Sequence, residues 1–504
     1  MTAAEQQRET SSVTLGDLFA ELRGGELASE TVKGLCLDSR LVVPGDLFFA
    51  CRGYTHDARE FVVEAVVNGA FAIALECDAD ERKAVLGRFA DLAVPIFTVT
   101  DLSSKLSGIA GKFYRDPSQK LVLTGVTGTN GKTTCTQLIG QLNQALYTSG
   151  GVIGTLGASL TGAVVEAVNT TPDAISLQAQ LAEWQDQSVE HVAIEVSSHA
   201  LHQGRVSGLK FDAAIFTNLT RDHLDYHETM AAYGEAKSTL FRLPGLRRAI
   251  LNLDDEYSAI LRPQIPAGVE IYSYSVSDKS ADVWASDAKY HARGVTAAIR
   301  TPWGDGLLTS PLMGEFNLSN TLAALVCLCS GGAPLVSVLA ALTNLQAIPG
   351  RMESIENNCG IQVIVDYAHT PDALAQVLAA TRMHSPQKLW CVFGCGGDRD
   401  RGKRAEMGGV ASAVADVVVI TSDNPRNENP EAVIADILQG CSGDIRVEPD
   451  RGKAIRMAVD EADSGDTIVV AGKGHETYQI VGEKRVEFSD IAIARDALSE
   501  RRKQ

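Results

Sequence analysis

The sequence predicts an α/β chain of three domains: a small mixed α/β domain, a central and mostly parallel sheet covered by helices, and a C-terminal Rossmann-like βαβ series. Three observations predict it. The 504 residues suit three domains, at roughly 100–200 residues each. A glycine-rich turn, Gly125 to Gly131, joins a short apolar strand to a helix-compatible segment. After Pro349-Gly350, strand-like runs alternate with helix-compatible ones, as in βαβ units. The boundaries read as 1–103, 104–348 and 349–504.

In the first domain, residues 42–50 read as a turn into a buried strand, Phe61 to Ala70 as a helix, and Ala70 to Leu75 and Pro95 to Val99 as strands. The second domain opens on the strand Leu121 to Thr124 and the helix Lys132 to Leu146. Strand-like runs follow at His191 to Val196, Ala213 to Thr217 and Ala249 to Leu251. Between Glu315 and Arg351 no side chain is charged, but Ser330-Gly331-Gly332-Ala333-Pro334 splits that stretch. Each piece, about ten residues, is too short for a ~30 Å hydrocarbon core, so two buried helices joined by a turn are expected. In the third domain the strands are Gln362 to Val365, Leu389 to Phe393, Val417 to Thr421 and Ile468 to Ala471. Ligands are expected at their carboxyl ends, at Gly394 to Arg404, Asp423 to Arg426 and Gly472 to Glu476.

The formal charge is −18, from 45 basic and 63 acidic residues. That balance argues against a nucleic-acid partner, which calls for a basic stripe. It leaves room for anionic ligands, which need only local donors. The ten cysteines include no Cys-x-x-Cys pair, so neither structural zinc nor a disulfide framework is expected. Reduced thiols and an N-terminus without an apolar run point to a cytoplasmic chain with no membrane segment.

The strongest motif is Gly128-Thr129-Asn130-Gly131-Lys132-Thr133-Thr134, after a strand and before a helix. Glycines let backbone N–H groups face phosphate oxygens. The helix N-terminus and Lys132 supply positive charge, and the Thr133 hydroxyl can ligate Mg²⁺. This makes the central domain a P-loop ATPase-type sheet, although Val126 stands where the strict pattern has its first glycine. Glu195 ends a strand and could complete an Mg²⁺ shell opposite Thr133. His223 and His227, four apart, resemble a zinc pair without its third ligand; local capping by Asp222 and Asp225 is the alternative. Lys237 alone reads as a solvated helix lysine.

The loop from Gly128 to Thr133 resembles the ATP loop of the Mur ligases, which build the peptidoglycan stem peptide. Folylpolyglutamate and cyanophycin synthetases share related loops. Residues 314–320, Gly350-Arg351-Met352-Glu353 and residues 365–371 fit the same family. The resemblance implies catalytic roles for Lys132, Lys237, His223 and Arg351. Metal ligands would be Thr133, Glu195, His223 and Lys237, the last as a CO₂-derived carbamate. ATP would meet Gly128, Thr129, Asn130, Gly131, Lys132, Thr133 and Thr134, with Asn317 on the adenine, Asp366 on the ribose and Arg351 on the transferred phosphate.

Two further sets of segments narrow the expectation. Leu37, Ser39, Tyr54, Thr55 and His56 resemble the family's uridine-diphosphate contacts, which makes the first domain a uridine-nucleotide domain. Asn169, Thr170, Thr171, Ser197, Gln203 and Arg205 resemble residues that hold the UDP-N-acetylmuramoyl dipeptide. Asp423-Asn424-Pro425-Arg426 matches the segment that reads the incoming amino acid in tripeptide-forming members, with Arg399, Gly472 and Glu476 beside it.

A guanidinium is a rigid fork for a carboxylate. Arg426 thus favours the distal carboxylate of meso-2,6-diaminopimelate over the ammonium of lysine. An unmatched buried charge costs several kcal/mol, about a thousandfold in discrimination. The implied activity is ATP- and Mg²⁺-dependent addition of diaminopimelate to UDP-N-acetylmuramoyl-L-alanyl-D-glutamate by a monomer. The rivals are a lysine-adding ligase and a catalytically inactive nucleotide-binding regulator.

Overall fold

The computed structural model describes residues 12–53, 57–147, 149–160, 163–165 (as backbone), 169–291, 294–385 and 387–501. The expected contacts Tyr54, Thr55 and His56 lie outside the described residues.

The first sheet holds β1 (Gly34–Cys36), β2 (Asp46–Ala50), β3 (Ala72–Glu76) and β4 (Ile96–Val99), parallel and in that order. β2 and β3 are buried throughout, as their continuous apolar runs require. The expected helix from Phe61 is shorter, a 3₁₀ turn Ala58–Phe61 followed by Val62–Val67. Gly69, at φ 101°, then takes the chain through a left-handed turn into β3. Helix Leu102–Phe113 runs through the boundary expected at 103/104, and its Leu102, Leu106, Ile109 and Phe113 pack into the N-terminal core.

The central sheet is wider than the expected parallel set. Its parallel strands include β5 (Val122–Thr127), β6 (Gly150–Gly154), β9 (His191–Glu195), β10 (Ala213–Phe216), β11 (Arg248–Asn252) and β12 (Glu270–Ser275), in the spatial order 12-11-10-5-9-6. Antiparallel strands β7 (Gly157–Leu160) and β8 (Ala163–Val165) extend one edge. β13 (Val283–His291), β14 (Gly294–Thr301) and β15 (Gly304–Ser310) extend the other. The charge-free stretch forms two helices, Glu315–Ser330 and Leu335–Leu342, joined at the Gly331–Pro334 turn. With helix Lys132–Tyr147 they cover one face of the sheet. Among the described residues no helix is long and apolar enough to cross a membrane.

The C-terminal sheet runs β16 (Glu353–Ile355), β17 (Gln362–Asp366), β21 (Thr467–Ala471), β18 (Leu389–Phe393), β19 (Val417–Ile420) and β20 (Asp444–Val447), with only β16 antiparallel. A hairpin, β22 (Tyr478–Val481) with β23 (Lys484–Glu487), follows. The loops at the carboxyl ends of β5, β9 and β10 meet those of the C-terminal sheet across hydrogen bonds such as Asn130 Nδ2 to Asp372 Oδ2, 2.9 Å, and the ion pair Arg221–Asp400, 3.0 Å.

Candidate active site

The phosphate loop starts where β5 ends and is tied to the segment after β10. The Thr129 N–H donates to the Asn218 carbonyl and the Asn130 N–H to Asn218 Oδ1, each at 2.8 Å. Thr217 Oγ1 donates to the Asn130 carbonyl at 2.6 Å. A Cβ on Gly128 would lie 1.9 Å from Thr217 Oγ1, and one on Gly131 (φ 84°) 2.5 Å from Asn320 Oδ1. Glycine is therefore required at both positions, by close approach and by a positive φ (149° at Gly128, 84° at Gly131).

Three basic side chains gather at this loop. Lys132 Nζ donates to the carbonyls of Gly128 (3.0 Å) and Thr129 (2.8 Å). Lys237, 1% exposed, sits on helix Met230–Ser238 and donates to the Gly128 carbonyl at 2.7 Å. Desolvation, then the charge of Lys132, holds the Lys237 amine well below the usual lysine range. Arg351, from the linker before β16, donates through Nη2 to Thr133 Oγ1 at 2.9 Å. Its guanidinium lies 4.4 Å over the Tyr367 ring, and its buried Nε has no hydrogen-bond partner among the described residues.

Glu195, at the end of β9, is 1% exposed. Its carboxylate accepts from Thr133 Oγ1 at 3.0 Å, and from the N–H (2.8 Å) and Oγ1 (3.1 Å) of Thr155. A Cβ on Gly154 would lie 2.2 Å from Glu195 Oε1, so that glycine makes room for the carboxylate. His223 is half-buried with its ring edge-on to His199, centroids 4.9 Å apart. Desolvation keeps it below the ordinary histidine range. His227 bonds Ser198 Oγ at 3.0 Å. Among the described residues no three His, Cys, Asp or Glu side chains gather as a metal cluster. The oxygen donors Thr133 and Glu195 fit Mg²⁺, which usually takes one or two carboxylates and leaves other positions to phosphate and water.

One cavity of about 410 Å³ joins these groups. Lining it are Thr129, Asn130, Gly131, Lys132, Thr133, Glu195, His223, Lys237 and Arg351, together with Asn169, Thr170, Thr171, Ser197, Arg205 and, from the C-terminal domain, Arg399. Thr171 Oγ1 ties two walls together, donating to the Glu195 carbonyl at 2.7 Å and accepting from the Ser197 N–H at 3.1 Å. Gln203 Oε1 holds Arg205, which also donates to the Thr171 carbonyl at 2.8 Å. Leu37 and Ser39 lie after β1, outside this lining, and the Ser39 hydroxyl is bonded to Glu64.

A neighbouring cleft of about 590 Å³ is lined by Asn130, Asn218, Thr220, Phe316, Asn320 and Gln376, among others. Asn317 is absent from its lining; it is buried and its amide donates to the Met313 carbonyl at 2.7 Å. Asn320, one helical turn on, faces the cleft. Between the two spaces lies a small hollow with Thr134, Arg351 and Asp366 in its wall. Both carboxylate oxygens of Asp366 accept backbone N–H bonds at 2.7 Å, from Met352 and Ala368.

The expected amino-acid segments converge at the ends of β18, β19 and β21. Asp423 and Asn424 are buried, and Arg426 Nη1 donates to the Gly397 carbonyl at 2.9 Å. Burial, then the like charge of Arg399, pulls the Arg426 guanidinium below its ordinary range. Asn424 Nδ2 donates to Glu476 Oε2 at 3.1 Å. A Cβ on Gly472 (φ 119°) would lie 3.0 Å from Asp423 Oδ2. Pro425 sets the turn, with its carbonyl accepting from the Glu428 N–H at 3.1 Å.

Sequence reasoning passed over Thr155, and read Asp222 only as a local cap. Thr155 fixes Glu195. Asp222 lies 3.4 Å from His223, 3.7 Å from His369 and 3.7 Å from Lys403, joining two domains. These residues belong to no local motif, and only the fold brings them together.

Residues 126–328 match the family described as Mur ligase middle domain, and 350–474 the one described as Mur ligase, glutamate ligase domain. The chain is 46% identical over 489 residues to a UDP-N-acetylmuramoyl-L-alanyl-D-glutamate--2,6-diaminopimelate ligase of Pseudomonas aeruginosa, covering 97% of this chain and 98% of that one. It is also 46% identical, over 470 residues, to the protein of the same name from Ectopseudomonas mendocina, covering 93% and 95%. A solved structure of a UDP-N-acetylmuramoyl-L-alanyl-D-glutamate--2,6-diaminopimelate ligase aligns with a TM-score of 0.69 at 35% identity, over 97% of this chain and 99% of that chain. With a phosphate loop, a strand-end glutamate and a swung-in arginine in one cavity, and with this likeness over nearly its whole length, the chain belongs to the Mur ligase family.

Proposed function

We propose that the chain is an ATP-dependent, ADP-forming ligase that adds meso-2,6-diaminopimelate to UDP-N-acetylmuramoyl-L-alanyl-D-glutamate in peptidoglycan precursor synthesis. The observation that carries this reading is one cavity lined both by Lys132 and Thr133 of the phosphate loop and by Arg399 of the amino-acid loops. Phosphate and amine chemistry thus share one space, as a ligase requires. The relatives that match over nearly their full length bear this activity in their names.

The backbone N–H groups of residues 131–133, with Lys132 and Arg351, hold the ATP phosphates and neutralise charge that develops on the transferred group, while those of Thr129 and Asn130 fix the loop on Asn218. The unpartnered Nε of Arg351 leaves a donor for one more phosphate oxygen. Thr133 and Glu195 hold Mg²⁺, with His223 at its margin; bound there, the ion screens the phosphate charge. The D-glutamyl γ-carboxylate, placed by Asn169, Thr170, Thr171, Ser197 and Arg205, attacks the γ-phosphorus. The bond to the bridging oxygen breaks, ADP leaves and an acyl phosphate forms. The diaminopimelate amine then attacks the acyl carbon, loses a proton, and phosphate departs. Asn317 serves the nucleotide from behind Asn320, whose side-chain amide donates to it, and Asp366 by holding the Met352 and Ala368 amides at the ribose wall.

Lys237 is buried, donates to the Gly128 carbonyl, has no ion pair with a carboxylate among the described residues, and is held toward its neutral form. A neutral amine is the form that adds CO₂, so this environment suits a carbamate, which would bring an anionic oxygen to the metal site. Leu37, Ser39, Tyr54, Thr55 and His56 bind the uridine diphosphate. Asp423, Asn424, Arg426, Gly472 and Glu476, with Arg399, receive the zwitterionic end of diaminopimelate, and a second cationic end, as in lysine, meets Arg426. All ten cysteines are free thiols, as suits a cytoplasmic reaction.

A coupled ADP-release assay with the muramoyl dipeptide and a panel of diamino acids tests the reading. Diaminopimelate turns over and lysine is poorer by about a thousandfold, following the cost of an unmatched buried charge. Arg426→Ala loses most of the diaminopimelate activity. Equal turnover of lysine, or an unimpaired Arg426→Ala enzyme, contradicts it.

A further inference from the structure

The amino-acid loops contain a cation that the reaction as proposed does not use. Lys473, the residue after Gly472, has a side chain with 0% exposure. Its Nζ lies 2.7 Å from Glu476 Oε2, 3.1 Å from Asn424 Oδ1 and 3.7 Å from Asp423 Oδ1. Asn424 Oδ1 also accepts the Ile480 N–H at 2.9 Å. With its oxygen held by two donors, the Asn424 amide must present Nδ2 to Glu476 Oε2. Lys473 and Asn424 therefore both act on that one oxygen of Glu476. The other, Oε1, is the acceptor left for an incoming ammonium.

Charge gives the same result. Asp423 and Glu476 alone carry −2; Lys473 brings that acidic cluster to −1, and the guanidiniums of Arg426 and Arg399 form the positive pole beside it. A receptor with one net negative and one positive pole matches a zwitterion. A doubly negative one matches a side chain that ends in an ammonium alone.

We infer that Lys473 is a positioning residue that fixes Asn424 and Glu476 and sets the charge of the amino-acid pocket, so that the pocket selects a zwitterionic end over a purely cationic one. The inference rests on the proposed reading of residues 423–426 and 476 as the diaminopimelate site. Lys473 need not touch the substrate.

The test is steady-state kinetics of Lys473→Met in the full-length enzyme, varying each substrate in turn. The KM for diaminopimelate rises roughly tenfold or more, the effect of removing a charged hydrogen-bond partner. The KM values for ATP and the muramoyl dipeptide stay within about twofold. The ratio of kcat/KM for diaminopimelate to that for L-lysine falls by about tenfold or more. A folded variant with unchanged diaminopimelate KM and unchanged selectivity overturns the inference. If Lys473→Met does not fold, Lys473→Gln, which keeps a donor to Asn424, is measured the same way and decides on the same criteria. Failure of both to fold also overturns it, in favour of a scaffold role. Failure of the underlying reading shows separately, as a wild-type enzyme that does not turn over diaminopimelate at all.

Discussion

At Gly131 the left-handed backbone and the nearness of Asn320 leave no room for a methyl group. Gly131→Ala should cost about 1–3 kcal/mol of local strain and displace the Asn130 and Lys132 flanks of the loop. Calorimetric titration should then show ATP affinity reduced by about tenfold or more, and unchanged affinity would contradict the close approach. The glycines and Lys132 were legible because they form one short, local pattern. Lys473 and Thr155 were not. Their roles arise from partners such as Asn424, 49 positions before Lys473, and no periodicity carries that information.

On the element scale, β18 and β19 were readable because buried parallel strands are continuous runs of apolar residues, here LWCVF and VVVI. β13 was missed because its second half carries the exposed polar residues Asp287, Lys289 and His291, so its SDAKYH segment looks like a loop. Helix Gly402–Val414 depends on a different device. The wholly buried Arg404 donates to Glu428 at 2.7 and 2.9 Å and to Asp436 at 2.9 Å, tying it to the following helix.

The hydrogen bonds from Arg404 depress the Glu428 carboxyl from 4.5 to about 2. A depressed folded-state pKa stabilises the fold above the unfolded value and loses that contribution as pH falls. The stability difference between wild type and Glu428→Gln should therefore be complete above about pH 5 and vanish near pH 2, by urea unfolding at each pH. A difference that does not change with pH would refute it. Asp366, at the end of β17, acts on the backbone instead: its carboxylate, its pKa pushed up by burial, holds the Met352 and Ala368 amides. Asp366→Ala strands two buried amides and should lower stability by about 2–4 kcal/mol, seen as a lower urea midpoint.

For the whole molecule, three domains were readable from length and from two strand–turn–helix series. The joint between the second and third was not, because it is built from side chains. Arg221–Asp400 and Lys403–Asp222 hold the two sheets' carboxyl ends together. The half-exposed Arg221–Asp400 pair contributes only about 0–1 kcal/mol, whereas Lys403–Asp222 is buried, so parting the two bodies leaves its charges uncompensated and favours the joined state. The double variant Arg221→Ala/Lys403→Ala should show a larger radius of gyration in X-ray scattering without ligands, and should contract when ATP and substrates are added. Scattering that matches the wild type throughout would refute a hinged joint.

The bond from Arg351 to Thr133 has a consequence for anything that occupies the cavity. One wall belongs to each of two bodies, so an occupant is caged rather than perched. Its escape waits on the parting of those bodies, and its residence time is set by the slower of that motion and its own unbinding. Two inhibitors of unequal affinity could then leave at the same rate, and potency would be decided by how fast each gets in.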